Sequence, residues 1–332
     1  MSNREANPRE MVCTAERSER DPADGRAGRV SILTAREVPL GGPRAMTVRR
    51  TLPQRERSFV GAWCFVDHYG PDDVSATGGM DVPPHPHTGL QTVSWLFTGE
   101  VEHRDSAGHH AMVRPGEVNL MTAGRGISHS EVSTAATTTL HGAQLWVALP
   151  DVARQTDPGF AHHAPSPVAG AGFEARVFLG SLLGDTSPVE TFTPLLGAEL
   201  LLEPGTSLDL DVDGGFEHGV LVDAGMLTVD GTEAKPGDLA YVPPGRTTLP
   251  LVAHDEPVRL LLLGGPPFGE AIVMWWNIVA RTHEEVVEWR ARWQEQVTDE
   301  GLVDGWFGVP VGDERSPIPA PPLPNARLRS RT

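Results

Sequence analysis

The chain has 332 residues, 39% of them hydrophobic, with 36 glycines, 30 prolines and two cysteines. Its 27 Lys plus Arg against 44 Asp plus Glu give a net charge of −17, a field that repels phosphate backbones and anionic lipid and so argues against nucleic-acid or membrane binding. The abundance of Gly and Pro suits many short strands joined by turns, so a β-rich fold is expected. No apolar run is long enough to span a bilayer and no signal-peptide core precedes the first ordered segment, so a cytoplasmic location is expected. Cys13 lies in a polar leader and Cys64 in an apolar stretch, which does not read as a disulfide framework.

In chain order, residues 1–29 mix charge with Gly and Ala and read as a flexible leader. Residues 58–68 form an apolar run that reads as a buried strand, ended by the turn chemistry of Gly70-Pro71-Asp72-Asp73. Residues 92–98 alternate, with Val93, Trp95 and Phe97 on one face and Thr92, Ser94 and Thr98 on the other. Gly99-Glu100 turns, 101–105 returns, Arg114-Pro115-Gly116-Glu117 turns again and 118–121 follows. Residues 140–149 form a further strand stopped by Pro150, and 151–172 reads as a linker. Beyond it come strands over 198–202, 208–212, 219–223 and 258–263. Turns of the same chemistry recur in the same order (Gly225-Met226, then Lys235-Pro236-Gly237-Asp238), which predicts a duplicated β unit. Thr282-His283-Glu284-Glu285 has the form of a capping box, and Val286, Trp289, Trp293 and Val297 follow at helical spacing. A C-terminal helix packed on a sheet is therefore expected, followed by a loose Pro- and Arg-rich tail.

The chemistry concentrates between Pro83 and Glu131. His85 and His87 stand i, i+2 at one end of this stretch, and His129 and Glu131 stand i, i+2 at the other. In extended backbone that spacing puts each pair on one face. If the intervening strand–turn–strand brings the ends together, three imidazoles and a carboxylate converge. Such a set suits iron and also accepts manganese, nickel, copper or zinc, with open positions left for a substrate and dioxygen. Glu131 could also act as a general base. A single histidine in a loop is more often structural than a ligand, and it is the four together that point to metal. Pro86 removes a ladder donor and so belongs at a strand start or edge. His68 reads as a structural hydrogen-bonding residue and His103 as part of a solvated strand face. His109 and His110 fall at a hairpin tip and His162 and His163 in the linker. His218 and His254 are too sparse for a second site, and Trp275 and Trp276 read as packing between the halves.

These motifs resemble the pirin family of the cupin superfamily. The resemblance is carried by His85-Pro86-His87-Thr88-Gly89, Glu102-His103-Arg104-Asp105-Ser106, Pro115-Gly116, and Met121-Thr122-Ala123-Gly124-Arg125-Gly126-Ile127 ending in His129-Ser130-Glu131. Leu140-His141-Gly142, Gln144-Leu145-Trp146-Val147 and the 269–277 segment fit as well. The resemblance implies an all-β bicupin, two stacked β-sandwich barrels with a C-terminal helix and the metal, usually Fe(II), only in the first. The implied division is a leader (1–29), a metal-binding cupin (30–150), a linker (151–172), a second cupin with the helix (173–312) and a flexible tail (313–332). The family's ligands carry over to His85, His87, His129 and Glu131. Gln91 stands where relatives often carry glutamate.

Two functional readings follow from the resemblance. One is a metal-dependent dioxygenase that opens quercetin or a related flavonol or chelating enol with O2, with Glu131 as both ligand and base. The other is a non-catalytic iron-containing binding module that regulates a protein partner in transcription or metabolism.

Overall fold

The computed structural model describes residues 28–39 and 46–332; Cys13 and nearly all of the expected leader lie outside them. Two antiparallel sandwiches of the same plan make up the molecule. The first pairs a seven-stranded sheet, in the order Gly159–His163, Val118–Thr122, Leu90–Thr98, Thr139–Ala148, Trp63–Asp73, Thr47–Leu52 and Arg36–Pro39, with a four-stranded one. The smaller sheet runs Asp81–His87, Ile127–Ser133, Val101–Asp105 and His110–Val113. The second sandwich repeats this as Ser31–Thr34, Asp238–Val242, Glu217–Ala224, Val258–Gly265, Leu196–Leu202, Phe173–Leu179 and Val168–Gly170. Its four-stranded sheet is Ser207–Asp211, Thr248–Ala253, Leu227–Val229 and Thr232–Ala234. The duplication foreseen from the turns is thus present strand for strand.

The halves exchange their entry strands. Ser31–Thr34 precedes the first sandwich in sequence but pairs with Asp238–Val242 of the second. Gly159–His163 precedes the second and pairs with Val118–Thr122 of the first. The expected linker is therefore partly strand, because a free sheet edge is satisfied by the chain that passes it. The alternation over 92–98 also has its reason here. Val93 and Trp95 leave the barrel to pack against Phe178, Leu221 and Leu261, with Trp95 stacked on Phe178 at 4.6 Å. This fills the space between the two large sheets with a continuous apolar core.

Two expectations need correction. Gly70-Pro71 does not end its strand; Trp63–Asp73 continues through it, with an irregularity in the partner between Leu140 and Gly142. The tail is also not loose. The N–H of Ile318 donates to the carbonyl of Pro84 at 2.9 Å, the indole N–H of Trp293 donates to the Ile318 carbonyl at 2.8 Å, and Arg331 exchanges backbone hydrogen bonds with Ile272. Asp81–His87 is an edge strand, as Pro86 requires, and the tail covers part of that edge.

The helix His283–Gln296 starts at Thr282, whose hydroxyl accepts from the Glu285 N–H. Glu285 reaches back to the N–H of Arg281, one residue before the position a capping box uses. Val286, Trp289 and Trp293 pack with Trp275, Trp276 and Ile318 against Val48, Tyr69 and Val82. By contact, then, the C-terminal helix and tail go with the first sandwich although they follow the second in sequence. Among the described residues no helix is long and apolar enough to cross a membrane.

Candidate metal centre

The antiparallel pair Asp81–His87 and Ile127–Ser133 sets His129 opposite His85 and Ile127 opposite His87, with an irregularity between His129 and Glu131. On its other side the same strand faces Val101–Asp105, with His129 opposite Asp105 and Glu131 opposite His103. Gly89 closes the first strand at φ 68°, where an added Cβ would lie 2.1 Å from the Val279 carbonyl oxygen, so a side chain there is excluded. That close approach brings Asn277 beside the site. His85, His87 and His129 are 0% exposed and Glu131 is 1% exposed.

Second contacts fix the ring protons. His85 Nδ1 lies 2.9 Å from the Pro83 carbonyl and His87 Nδ1 lies 3.1 Å from the Asn277 carbonyl. A carbonyl only accepts, so both rings carry their proton on Nδ1 and present a lone pair at Nε2. His85 Nε2 is buried without a hydrogen-bond partner, and His87 Nε2 faces His129 Nε2 at 3.1 Å. Burial holds all three rings well below the usual imidazole range, so they are neutral, the state a metal ligand needs. The donor set fits a divalent transition ion.

The four residues named from sequence do not form one tight group. His85, His87 and His129 place their donor atoms within 4.8 Å of one another, while Glu131 does so with His129 and His103. His129 belongs to both groups. His103 is 3% exposed, so the expectation of a solvated face is corrected. In Val101–Asp105 the residues Val101, His103 and Asp105 point inward and Glu102 and Arg104 outward. That alternation was the available signal, hidden by the charges on either side of His103.

Beside the imidazoles, Phe65 stacks on Trp146 at 4.0 Å and the Trp146 ring sits 5.2 Å from His87. Arg50 and Asp67 form a buried two-bond ion pair at 2.6 and 2.8 Å. Trp146 Nε1 and Gln144 Nε2 are buried donors without partners. Burial and the Glu131 carboxylate both push the Tyr69 hydroxyl far above its ordinary range, so it stays protonated. Gln91, by contrast, shares the outward face of Val93. It lines a cleft of about 640 Å³ with Phe160 and the Pro188 to Phe192 segment.

A second cluster, His68, His141 and Asp223, spans the two sandwiches. Both His Nε2 atoms lie 2.6 Å from Asp223 Oδ1, and Arg259 reaches Oδ2 at 3.3 Å. Here the ring chemistry runs the other way. The Asp223 carboxylate, held well below its ordinary range by these bonds, only accepts, so Nε2 of each ring carries a proton and donates to it. The cluster is a hydrogen-bonded latch between domains, in keeping with the structural role expected of His68. In the second sandwich the strands equivalent to the histidine-bearing pair set Leu208 opposite Leu251 and Leu210 opposite Leu249, so apolar packing fills the corresponding space.

A family profile described as Pirin matches residues 45–147, and one described as Pirin C-terminal cupin domain matches 197–299. A Pseudomonas aeruginosa protein named "Putative quercetin 2,3-dioxygenase" is 42% identical over 293 residues, covering 88% of this chain and 90% of that one. A "Pirin-like protein" of Caulobacter vibrioides is 36% identical over 272 residues, covering 79% and 92%. A crystal structure described as quercetin 2,3-dioxygenase from Acinetobacter baumannii aligns with a TM-score of 0.81 at 37% identity, covering 91% of this chain and 97% of that one.

Proposed function

This chain belongs to the pirin family, and on that premise we propose that it is a metal-dependent dioxygenase cleaving quercetin or a related flavonol or chelating enol with O2 in the cytoplasm. The observation that carries the reading is the convergence of the donor atoms of His85, His87 and His129, with Nε2 of His85 and His87 left as lone pairs by the carbonyl acceptors on the far side of those rings. These three and Glu131 would hold the metal, with Fe(II) the first choice. When bound, the metal supplies Lewis acidity and redox capacity towards a chelating substrate and O2.

The chain's own groups do the rest. Glu131 takes the proton of the substrate hydroxyl. The unpartnered N–H groups of Trp146 and Gln144 donate to substrate oxygens, and the stacked Phe65 and Trp146 offer a flat wall to an aromatic ring. The Tyr69 hydroxyl, held protonated, remains a donor beside Glu131.

Near-complete burial of the four residues favours a second reading, a metal-containing module that acts through a protein partner. Oxygen uptake by anaerobically Fe(II)-loaded protein with quercetin, together with headspace carbon monoxide, separates the two. Metal-dependent uptake with matching carbon monoxide supports the dioxygenase. Tight metal without turnover supports the binding module.

A further inference from the structure

His129 is the one imidazole of the three whose Nδ1 meets no carbonyl. Its Nδ1 instead lies 3.4 Å from His103 Nδ1, and His103 Nε2 lies 3.3 Å from Asp105 Oδ2. Asp105 is 0% exposed, and its other oxygen accepts from the N–H groups of Ala107 and His109 at 2.9 and 3.0 Å. Burial alone would push its carboxyl up, yet the bonds from His103 and the His109 amide hold it below the usual carboxylate range. Asp105 is therefore an ionised, acceptor-only group.

From these contacts we infer that Asp105 and His103 form a positioning relay that sets the tautomer of His129 and so turns its Nε2 lone pair towards His85 and His87. Because Asp105 only accepts, His103 carries its proton on Nε2. A neutral ring then has a lone pair at Nδ1, and that lone pair accepts from His129 Nδ1–H. His129 Nε2 is left unprotonated, facing His87 Nε2 at 3.1 Å. The relay does for His129 what the Pro83 and Asn277 carbonyls do for the other two rings. Phe160 packs on both His103 and His109, with ring centroids at 4.9 and 5.4 Å, and holds the His103 plane in place. Such partners beyond the ligands orient the ring and raise its basicity, and losing one typically costs about 10–100-fold in metal affinity.

The relay rests on the proposed metal centre, and the experiment separates the two. Nitrogen-15 shifts of the His129 ring are recorded in the metal-free protein, and Co(II) affinity is titrated in wild type, His103→Phe, His103→Gln, Asp105→Asn and His129→Ala. The relay requires a protonated Nδ1 on His129 in wild type, whatever metal binding shows. A protonated Nε2 there overturns it. His103→Phe is expected to lose about 10–100-fold in affinity. Asp105→Asn should lose comparably, since its amide N–H would donate to His103 Nε2 and invert the order of protons. His103→Gln, whose carbonyl still accepts from Nδ1–H, should stay within about threefold of wild type and so control for folding. Unchanged affinity in His103→Phe overturns the relay. So does a His103→Gln that loses metal as completely as His129→Ala, which would make His103 a direct ligand. A wild type that binds no Co(II) counts against the metal centre, while the nitrogen-15 result still decides the relay.

Discussion

His87 and His129 point Nε2 at Nε2 across 3.1 Å in the interior of the first sandwich, both rings fully buried and both neutral. With the proton of His129 on Nδ1, as inferred above, these two nitrogens face each other as lone pairs, which repel unless a cation lies between or beside them. Removing one ring should therefore remove the cation. His129→Ala is expected to abolish stoichiometric binding of Fe(II) or Co(II). It should also abolish metal-dependent thermal stabilisation, which for wild type reaches about 2.7 kcal/mol when free metal is 100 times its dissociation constant. Metal analysis after dialysis and a melting series with added metal check both.

The His68–His141–Asp223 cluster has the composition of a metal site but the proton arrangement of a latch. Asp223→Ala should leave metal stoichiometry at about one per chain and lower stability by about 3 kcal/mol, since it strips a buried carboxylate from two imidazoles and Arg259. Urea denaturation and metal analysis on the same sample test this. A stoichiometry that falls from two to one would show the cluster binds metal.

Ile318 is 3% exposed and joins the core that carries the C-terminal helix. Ile318→Ala should cost about 2–4 kcal/mol, the range for emptying a buried aliphatic site. A surface-like cost near zero in urea denaturation would mean the tail does not hold this position in solution.

Both ring nitrogens of His218 are buried without hydrogen-bond partners, and burial lowers its pKa from 6.5 to about 4. Between those values the unfolded chain binds a proton that the folded chain does not. Stability therefore rises with pH across this window and falls as pH drops from about 6.5 towards 4. His218→Leu should flatten that fall by up to about 3 kcal/mol at the acid end. Denaturation midpoints of both proteins from pH 7 to pH 4 read the difference directly.

Much of this was legible in the sequence because its periodicities are local. The i, i+2 pairs of His85 with His87 and His129 with Glu131, the alternation through Val93 and Trp95, and the repeated Pro-Gly turns each follow from a few neighbouring residues. What stayed hidden depends on chain that arrives from elsewhere. His103 looks solvated among Glu102, Arg104 and Asp105 until the strand is seen to turn its odd-numbered residues inward. The partner of His68 is Asp223, 155 positions away in the other sandwich. The tail reads as loose because its Pro and Arg content hides the edge strand at Pro84 that it covers. Spacing puts Gln91 on the face of Val93, but that this face turns out of the barrel is set by the second sandwich packed against it.

The central claim is that one metal ion sits among the imidazoles of the first sandwich, and anomalous scattering at the iron edge from crystals of Fe(II)-loaded protein tests it most directly. The expected result is a single peak per chain adjoining Nε2 of His85, His87 and His129 and the Glu131 carboxylate. A peak beside His68, His141 and Asp223, or none in protein that carries stoichiometric iron, would contradict it.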